Sequence, residues 1–266
     1  MDDALRVRLA AYEQTLRSTI ALAEGFADAD WARATDCPGW TVKDQLSHIV
    51  SVERSLLGDP APKAEPVEWP HVRNDFGRML EAGIEARRPV PGPEIVAELA
   101  ELLPRRLAQV AATDPATQML CPDGRMGDYA RFLLFRSFDC WIHEQDIRRA
   151  VARPGNLAAP AAASAWEVLS SGLPFVVVKR AQATPGQSVT FKISGPPDHR
   201  STVLVGDDGR GRPTDDVAEP TVTLAMQWET YVCLAAGRRG PDTAAVQISG
   251  DKDLADRVLA NLAMTP

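Results

Sequence analysis

Asp139-Cys140-Trp141-Ile142-His143-Glu144-Gln145-Asp146-Ile147-Arg148-Arg149-Ala150 is the stretch on which the reading of the fold turns. It lies inside a long helical pattern, about 128–151, that stops before Arg153-Pro154-Gly155-Asn156. Asp139 and His143 are four positions apart, so both side chains project from one helical face. Cys140 and Glu144 directly follow them and are turned about 100° away around the helix. Cys140 therefore reads as a small core residue, and Glu144 as a poor co-ligand.

Upstream, Leu5, Leu9, Tyr12, Leu16, Ile20 and Ala23 recur at helical spacing. Thr41-Val42-Lys43-Asp44 has the form of a capping box, with Asp in the Glu/Gln place. The helix it opens runs through His48 to about Leu57 and stops at Gly58-Asp59-Pro60. After a Pro-rich linker the pattern predicts helices near 72–87 and from Pro93 to about 112, the second kinked by Pro104. Beyond Arg153-Pro154-Gly155-Asn156 comes a helix near 161–181. Strands follow at 189–193, 202–205, 221–225 and 245–249, with a short helix at 227–236 and a last helix capped by Asp251. The fold class expected is α+β: a four-helix bundle over 1–155, then a small α/β domain over 156–266.

Length agrees with two domains, since 266 residues exceed what one small core usually takes. A net charge of -7 argues against broad affinity for nucleic acid or an anionic membrane. The acidic start Met1-Asp2-Asp3 is not a signal peptide, and no apolar run reads as reaching the roughly 20 residues of a membrane span. Cys37, Cys121, Cys140 and Cys233 are scattered without a CxxC pair, as expected in a reducing cytoplasm. We expect a monomer, because two domains can cover each other's apolar faces.

The four histidines are His48, His71, His143 and His199. If the helices carrying His48 and His143 are neighbours, His48 completes a two-histidine, one-carboxylate set with Asp139 and His143. Three protein ligands would leave positions open, the pattern of a catalytic metal site. The same residues also fit a surface Asp–His pair and a core histidine, and spacing does not choose between the readings. His71 and His199 read as exposed, and Trp40 and Trp141 as cleft or core. Asp146 reads as a partner for a backbone group or for the outer nitrogen of His48.

Three ordered motifs carry a family resemblance. Cys37-Pro38-Gly39-Trp40-Thr41-Val42-Lys43-Asp44-Gln45-Leu46-Ser47-His48 and the Asp139–Ala150 stretch resemble signatures of actinobacterial mycothiol-dependent maleylpyruvate isomerase-like proteins, within the wider DinB-like metal-binding bundles. The C-terminal segments Leu234-Ala235-Ala236-Gly237-Arg238, Ile248-Ser249-Gly250-Asp251 and Met264-Thr265-Pro266 resemble that family's sterol-carrier-like domain. One departure is Asp139, where the family usually has Glu; Asp is one methylene shorter and remains a normal ligand.

The resemblance implies a divalent metal, most simply Zn2+, on His48, Asp139 and His143. It also implies mycothiol as the thiol cosubstrate, a small electrophilic substrate, and Arg238 as a functional cation, for which Arg239 could substitute. Arg238 reads equally as a cation at a helix C-terminus. Isomerase and transferase chemistry share such a site. A metal-dependent hydrolase, with Glu144 or Asp44 as base, and a non-enzymatic lipid-binding protein are the other classes left open.

Overall fold

A computed structural model describes residues 3–60, 62, 67–72, 74–215, 217–238 and 243–265. The chain forms two compact units, 1–164 and 165–266. The first contains α1 (Asp3–Ala23), a short α2 (Asp28–Trp31), α3 (Val42–Leu56), α4 (Asp75–Glu85), α5 (Gly92–Ala112) and α6 (Tyr129–Ala150). A two-stranded hairpin of β1 (Met119–Leu120) and β2 (Met126–Gly127) precedes α6. The unit boundary falls within α7 (Pro160–Ser171). The turn at 153–156 belongs to the first unit, because Asn156 donates to both oxygens of Glu144 and accepts from Gln14.

α1, α3, α5 and α6 pack on one another as the bundle. Leu5, Tyr12 and Leu16 of α1 meet Leu46, Ile49 and Val50 of α3, Leu99 and Leu103 of α5, and Leu133 and Ile147 of α6 in one core. The capping box at the start of α3 is present: Thr41 Oγ1 accepts from the Asp44 amide, and Asp44 Oδ2 accepts from the Thr41 amide at 2.9 Å. Asp128 caps α6 by accepting from the Arg131 amide at 2.7 Å. α5 runs unbroken through Pro104. Gly83 lets α4 lie close against α3, since a Cβ there would stand 1.8 Å from Ser51 Oγ.

α6 is buried on nearly all sides, polar residues included. Such groups are tolerated only when paired. The centre of the pairing is Glu53 on α3, 1% exposed, which accepts from Arg106 Nε at 2.7 Å, Arg136 Nη2 at 2.5 Å and the Tyr12 hydroxyl at 2.5 Å. One carboxylate thereby ties together α1, α3, α5 and α6.

The second unit holds a five-stranded sheet in the order β5-β4-β3-β6-β7, built from β3 (Ser188–Ser194), β4 (His199–Val205), β5 (Gly211–Pro213), β6 (Val222–Gln227) and β7 (Gln247–Gly250). Only β3 and β6 pair parallel, with Val189 opposite Val222 and Phe191 opposite Leu224. Val222, Leu224 and Met226 alternate with less buried residues along β6, whereas β3 is buried on both faces over its first four residues, Ser188 and Thr190 as well as Val189 and Phe191. α9 (Trp228–Ala235) and α10 (Lys252–Ala260) pack against this sheet.

Several expectations need correction. The helix read at 161–181 is interrupted after α7; α8 (Leu173–Phe175) and a π-helical turn, Val176–Arg180, follow Gly172. Contrary to the sequence reading, Pro160–Arg180, 21 residues, is long and apolar enough for a membrane span by composition. Ala161, Ala165, Leu169, Leu173 and Val177 within it are buried in the fold. The edge strand β5 and the β1–β2 hairpin are too short for alternation to betray them. His199 is not exposed: its ring stacks on Trp166 with centroids 4.2 Å apart and planes 2° apart, beside Trp228.

Burial alone would raise the Glu53 carboxyl, but Arg136 and Arg106 hold it below the ordinary glutamate value of 4.5. The stabilisation is therefore complete above pH 4.5 and is lost as pH falls through the lowered value. Glu53→Gln, which leaves two buried guanidinium groups underpaired, is expected to cost about 3–5 kcal/mol in urea denaturation at neutral pH. The variant's acid limb should also be flatter than that of the wild type; equal stability and equal acid limbs would show the cluster to be energetically neutral.

Candidate metal centre

α3 and α6 pack side by side, and this brings His48 to Asp139 and His143. One ligating atom from each residue lies within 4.8 Å of the other two. His48 Nε2 stands 3.3 Å from Asp139 Oδ2, and His143 Nε2 stands 3.4 Å from Asp139 Oδ1. The imidazoles are 4.6 Å apart between centroids. Their side chains are 4% and 6% exposed, whereas Asp139 is 32% exposed, so the trio is open to solvent on the carboxylate side.

The surroundings fix how each group is presented. His143 Nδ1 donates to Gln45 Oε1 at 2.5 Å. Gln45 is itself oriented, because its Nε2 donates to Thr35 Oγ1 at 2.7 Å and Thr35 donates to the Trp40 carbonyl at 2.8 Å. This relay puts the hydrogen on Nδ1 and leaves Nε2 facing Asp139, the tautomer a ligand histidine needs. Asp146 stands 3.6 Å from His143 Nδ1 and accepts from Arg149. It therefore stands behind His143, and of the two partners the sequence offered, a backbone group and the outer nitrogen of His48, the second is not the one it meets. His48 Nδ1 is buried with no hydrogen-bond partner among the described residues.

Trp40 roofs the pair, its ring centred 5.1 Å from His48 and 5.6 Å from His143. Its Nε1 donates to Glu81 Oε2 at 3.0 Å, an oxygen that His71 Nε2 also approaches at 3.2 Å. Arg88 donates to the other Glu81 oxygen at 2.9 Å. His71 is thus packed rather than exposed; Gly39, at φ +80°, fits beneath it because a Cβ there would meet its Nδ1 at 2.2 Å. Trp141 lies in the core, with Nε1 donating to the Asn156 carbonyl at 3.0 Å.

Charge completes the site. Arg136 Nη1 donates to Asp139 Oδ2 at 2.5 Å. Burial would raise the Asp139 carboxyl, but Arg136, His143 and His48 more than offset it and hold it well below the usual range. Desolvation is the largest influence on His48 and depresses its pKa, favouring the neutral ring. Cys140 is fully buried, and burial pushes its thiol far up, so it stays protonated.

The donor set suits a divalent cation. With metal–ligand bonds of about 2.0–2.2 Å in a tetrahedral site, neighbouring donor atoms lie roughly 3.3–3.5 Å apart. His143 Nε2 and Asp139 Oδ1, 3.4 Å apart, match that spacing, and His48 Nε2 stands 3.3 Å from the other carboxylate oxygen. Gln45, Glu81 and Arg136 are the contributors the sequence reading missed; of these, Gln45 lay inside a stretch it singled out, and Trp40, read as cleft or core, lies over the site.

Other candidates fall elsewhere. Glu144 is enclosed by Thr15, Ser18, Arg148 and Asn156, and Asp44 by the α3 cap and Arg88. Arg238 is part of the second unit, where its Nη1 donates to the Ala236 carbonyl at 2.9 Å at the C-terminal end of α9. Arg239 lies outside the described residues.

Comparison with known proteins adds a second line. The sequence profile of the mycothiol maleylpyruvate isomerase N-terminal domain matches residues 12–148, a span containing His48, Asp139 and His143. A crystal structure of mycothiol-dependent maleylpyruvate isomerase aligns with TM-score 0.55 and 16% identity, covering 94% of this chain and 96% of that one. A histidine-to-alanine mutant of mycothiol-dependent maleylpyruvate isomerase aligns with TM-score 0.54 at the same identity and coverage. At that identity the likeness speaks for the fold. Curated protein sequences give no match.

The hydrogen-bond relay has a direct spectroscopic consequence. Two-bond 1H–15N correlation spectra are expected to show His143 protonated at Nδ1, with that fixed state lost in Gln45→Leu. A wild-type ring protonated only at Nε2 would contradict the relay.

Proposed function

The chain belongs to the mycothiol maleylpyruvate isomerase N-terminal domain family, and from that premise we propose that it is a metal-dependent enzyme that uses a low-molecular-weight thiol, mycothiol, on a small electrophile. The observation that carries the reading is the convergence of His48, Asp139 and His143 within 4.8 Å. Zn2+ suits two imidazoles and a carboxylate with a position to spare. When bound, such a cation supplies a thiolate at neutral pH, since coordination removes the proton a free thiol of pKa about 8.5 largely retains.

The chain's own residues support a borrowed thiol. All four cysteines are buried, and Cys140, beside Asp139, is held protonated by burial. The protein thus offers no exposed cysteine sulfur as nucleophile, and a thiol used at this site would come from solution. Asp139, the most open member of the trio, faces the side from which a small molecule arrives. Trp40 walls the two imidazoles with an apolar ring, restricting water around the reacting atoms. His48, kept neutral by desolvation, remains a competent ligand.

Addition of the thiol to an activated double bond, followed by rotation and expulsion, would make the enzyme an isomerase; stopping after addition or displacement would make it a transferase. The hydrolytic alternative loses support, because Glu144 and Asp44 are already committed to other partners. Free, buried cysteines accord with a reducing cytoplasm.

Purified protein is expected to carry close to one equivalent of zinc, and His48→Ala, Asp139→Ala and His143→Ala to lose it while remaining folded. Wild-type protein should consume mycothiol with an electrophile, or isomerise a cis-enedione-type acid in its presence, and the three variants should not. Arg238→Met should lower turnover without lowering metal content. Equal metal in wild type and variants would refute the reading.

A further inference from the structure

The two oxygens of Asp139 are not equivalent. Oδ1 faces His143 Nε2 at 3.4 Å, while Oδ2 takes a charged hydrogen bond from Arg136 Nη1 at 2.5 Å, with His48 Nε2 at 3.3 Å. Arg136 is not free to leave. Its other terminal nitrogen, Nη2, donates to Glu53 Oε1 at 2.5 Å, and its side chain is 5% exposed. Glu53 is pinned in turn by Arg106 and Tyr12. The guanidinium therefore spans two buried carboxylates, and its position is set by the bundle core.

We propose that Arg136 is a positioning residue that confines Asp139 to one coordinating oxygen, Oδ1. The inference rests on the metal reading above. Coordination through both oxygens would draw on Oδ2, the oxygen already bound to the Arg136 guanidinium, and would weaken that charge-assisted hydrogen bond. A cation held by His48, Asp139 Oδ1 and His143 then has three protein donors. Zinc sites of this kind accept four, and sometimes five, ligands. In a four-coordinate site one position would then remain for an exchangeable group, which suits the sulfur of the thiol.

Cobalt-loaded full-length protein tests this without reference to activity, because four-coordinate Co2+ absorbs visible light far more strongly than five- or six-coordinate Co2+. The wild type is expected to show the intense bands. Arg136→Met, which frees Oδ2 and leaves Glu53 paired with Arg106 and Tyr12, should keep the cobalt and lose much of that intensity. An unchanged cobalt spectrum in folded Arg136→Met would overturn the proposal while leaving the metal reading intact. Failure of the wild type to bind Co2+ or Zn2+ would remove both. Should Arg136→Met not fold, X-ray absorption of zinc-loaded wild type decides: one-oxygen coordination by the carboxylate supports the inference, and two-oxygen coordination overturns it.

Discussion

A carboxylate cannot stay charged within a helical bundle unless cations and donors surround it, and this requirement at Asp139 organises the N-terminal unit. Asp139 is answered by Arg136 from its own helix and by two imidazoles, one from each of α3 and α6. Arg136 needs its own counter-charge and finds it in Glu53, which recruits Arg106 from α5 and Tyr12 from α1. The polar seam thus runs through all four bundle helices, and it fixes their register more strictly than the surrounding leucines and isoleucines could. Apolar packing tolerates slippage and substitution of similar volume; a buried ion pair does not.

The same seam separates structure from chemistry within a few ångströms. On the inner side, Glu53 and Arg106 are almost wholly enclosed. On the outer side, Asp139 reaches solvent, with two imidazole nitrogens beside it and the indole of Trp40 over them. Trp40 is held by Glu81, which α4 can deliver because Gly83 permits close contact with α3. The loop of residues 37–40, α4 and the two main site helices therefore act together on one small volume, as a site with demanding geometry requires.

Much of this was legible in the sequence. Thr41 with Asp44, and Asp128, announced two helix starts, and the four-residue spacing of Asp139 and His143 placed both on one face. The sheet strands showed themselves by alternation. What was not legible depends on neighbours across the bundle. Gln45 looks like an ordinary polar residue of an amphipathic helix until its amide is seen bridging His143 and Thr35. Arg136 sits one turn before Asp139, yet nothing in sequence says that its second nitrogen reaches Glu53, 83 residues away. Asp146 reads from sequence as a partner for a backbone group or for His48, and its place beside His143 and Arg149 depends on how its own helix packs. His71 and His199 looked exposed among prolines, and only tertiary contacts with Glu81 and Trp166 bury them. The break at Gly172 had a local signal in Gly172 and Pro174, outweighed in the reading by the apolar run around them.

The account stands or falls on whether α3 and α6 present their three donor groups to one ion. Anomalous diffraction at the zinc absorption edge, from crystals of the protein grown with Zn2+, examines that point without any assay. A single strong peak flanked by His48, Asp139 and His143 is the predicted result; no peak there, or one bound by other side chains, would contradict it.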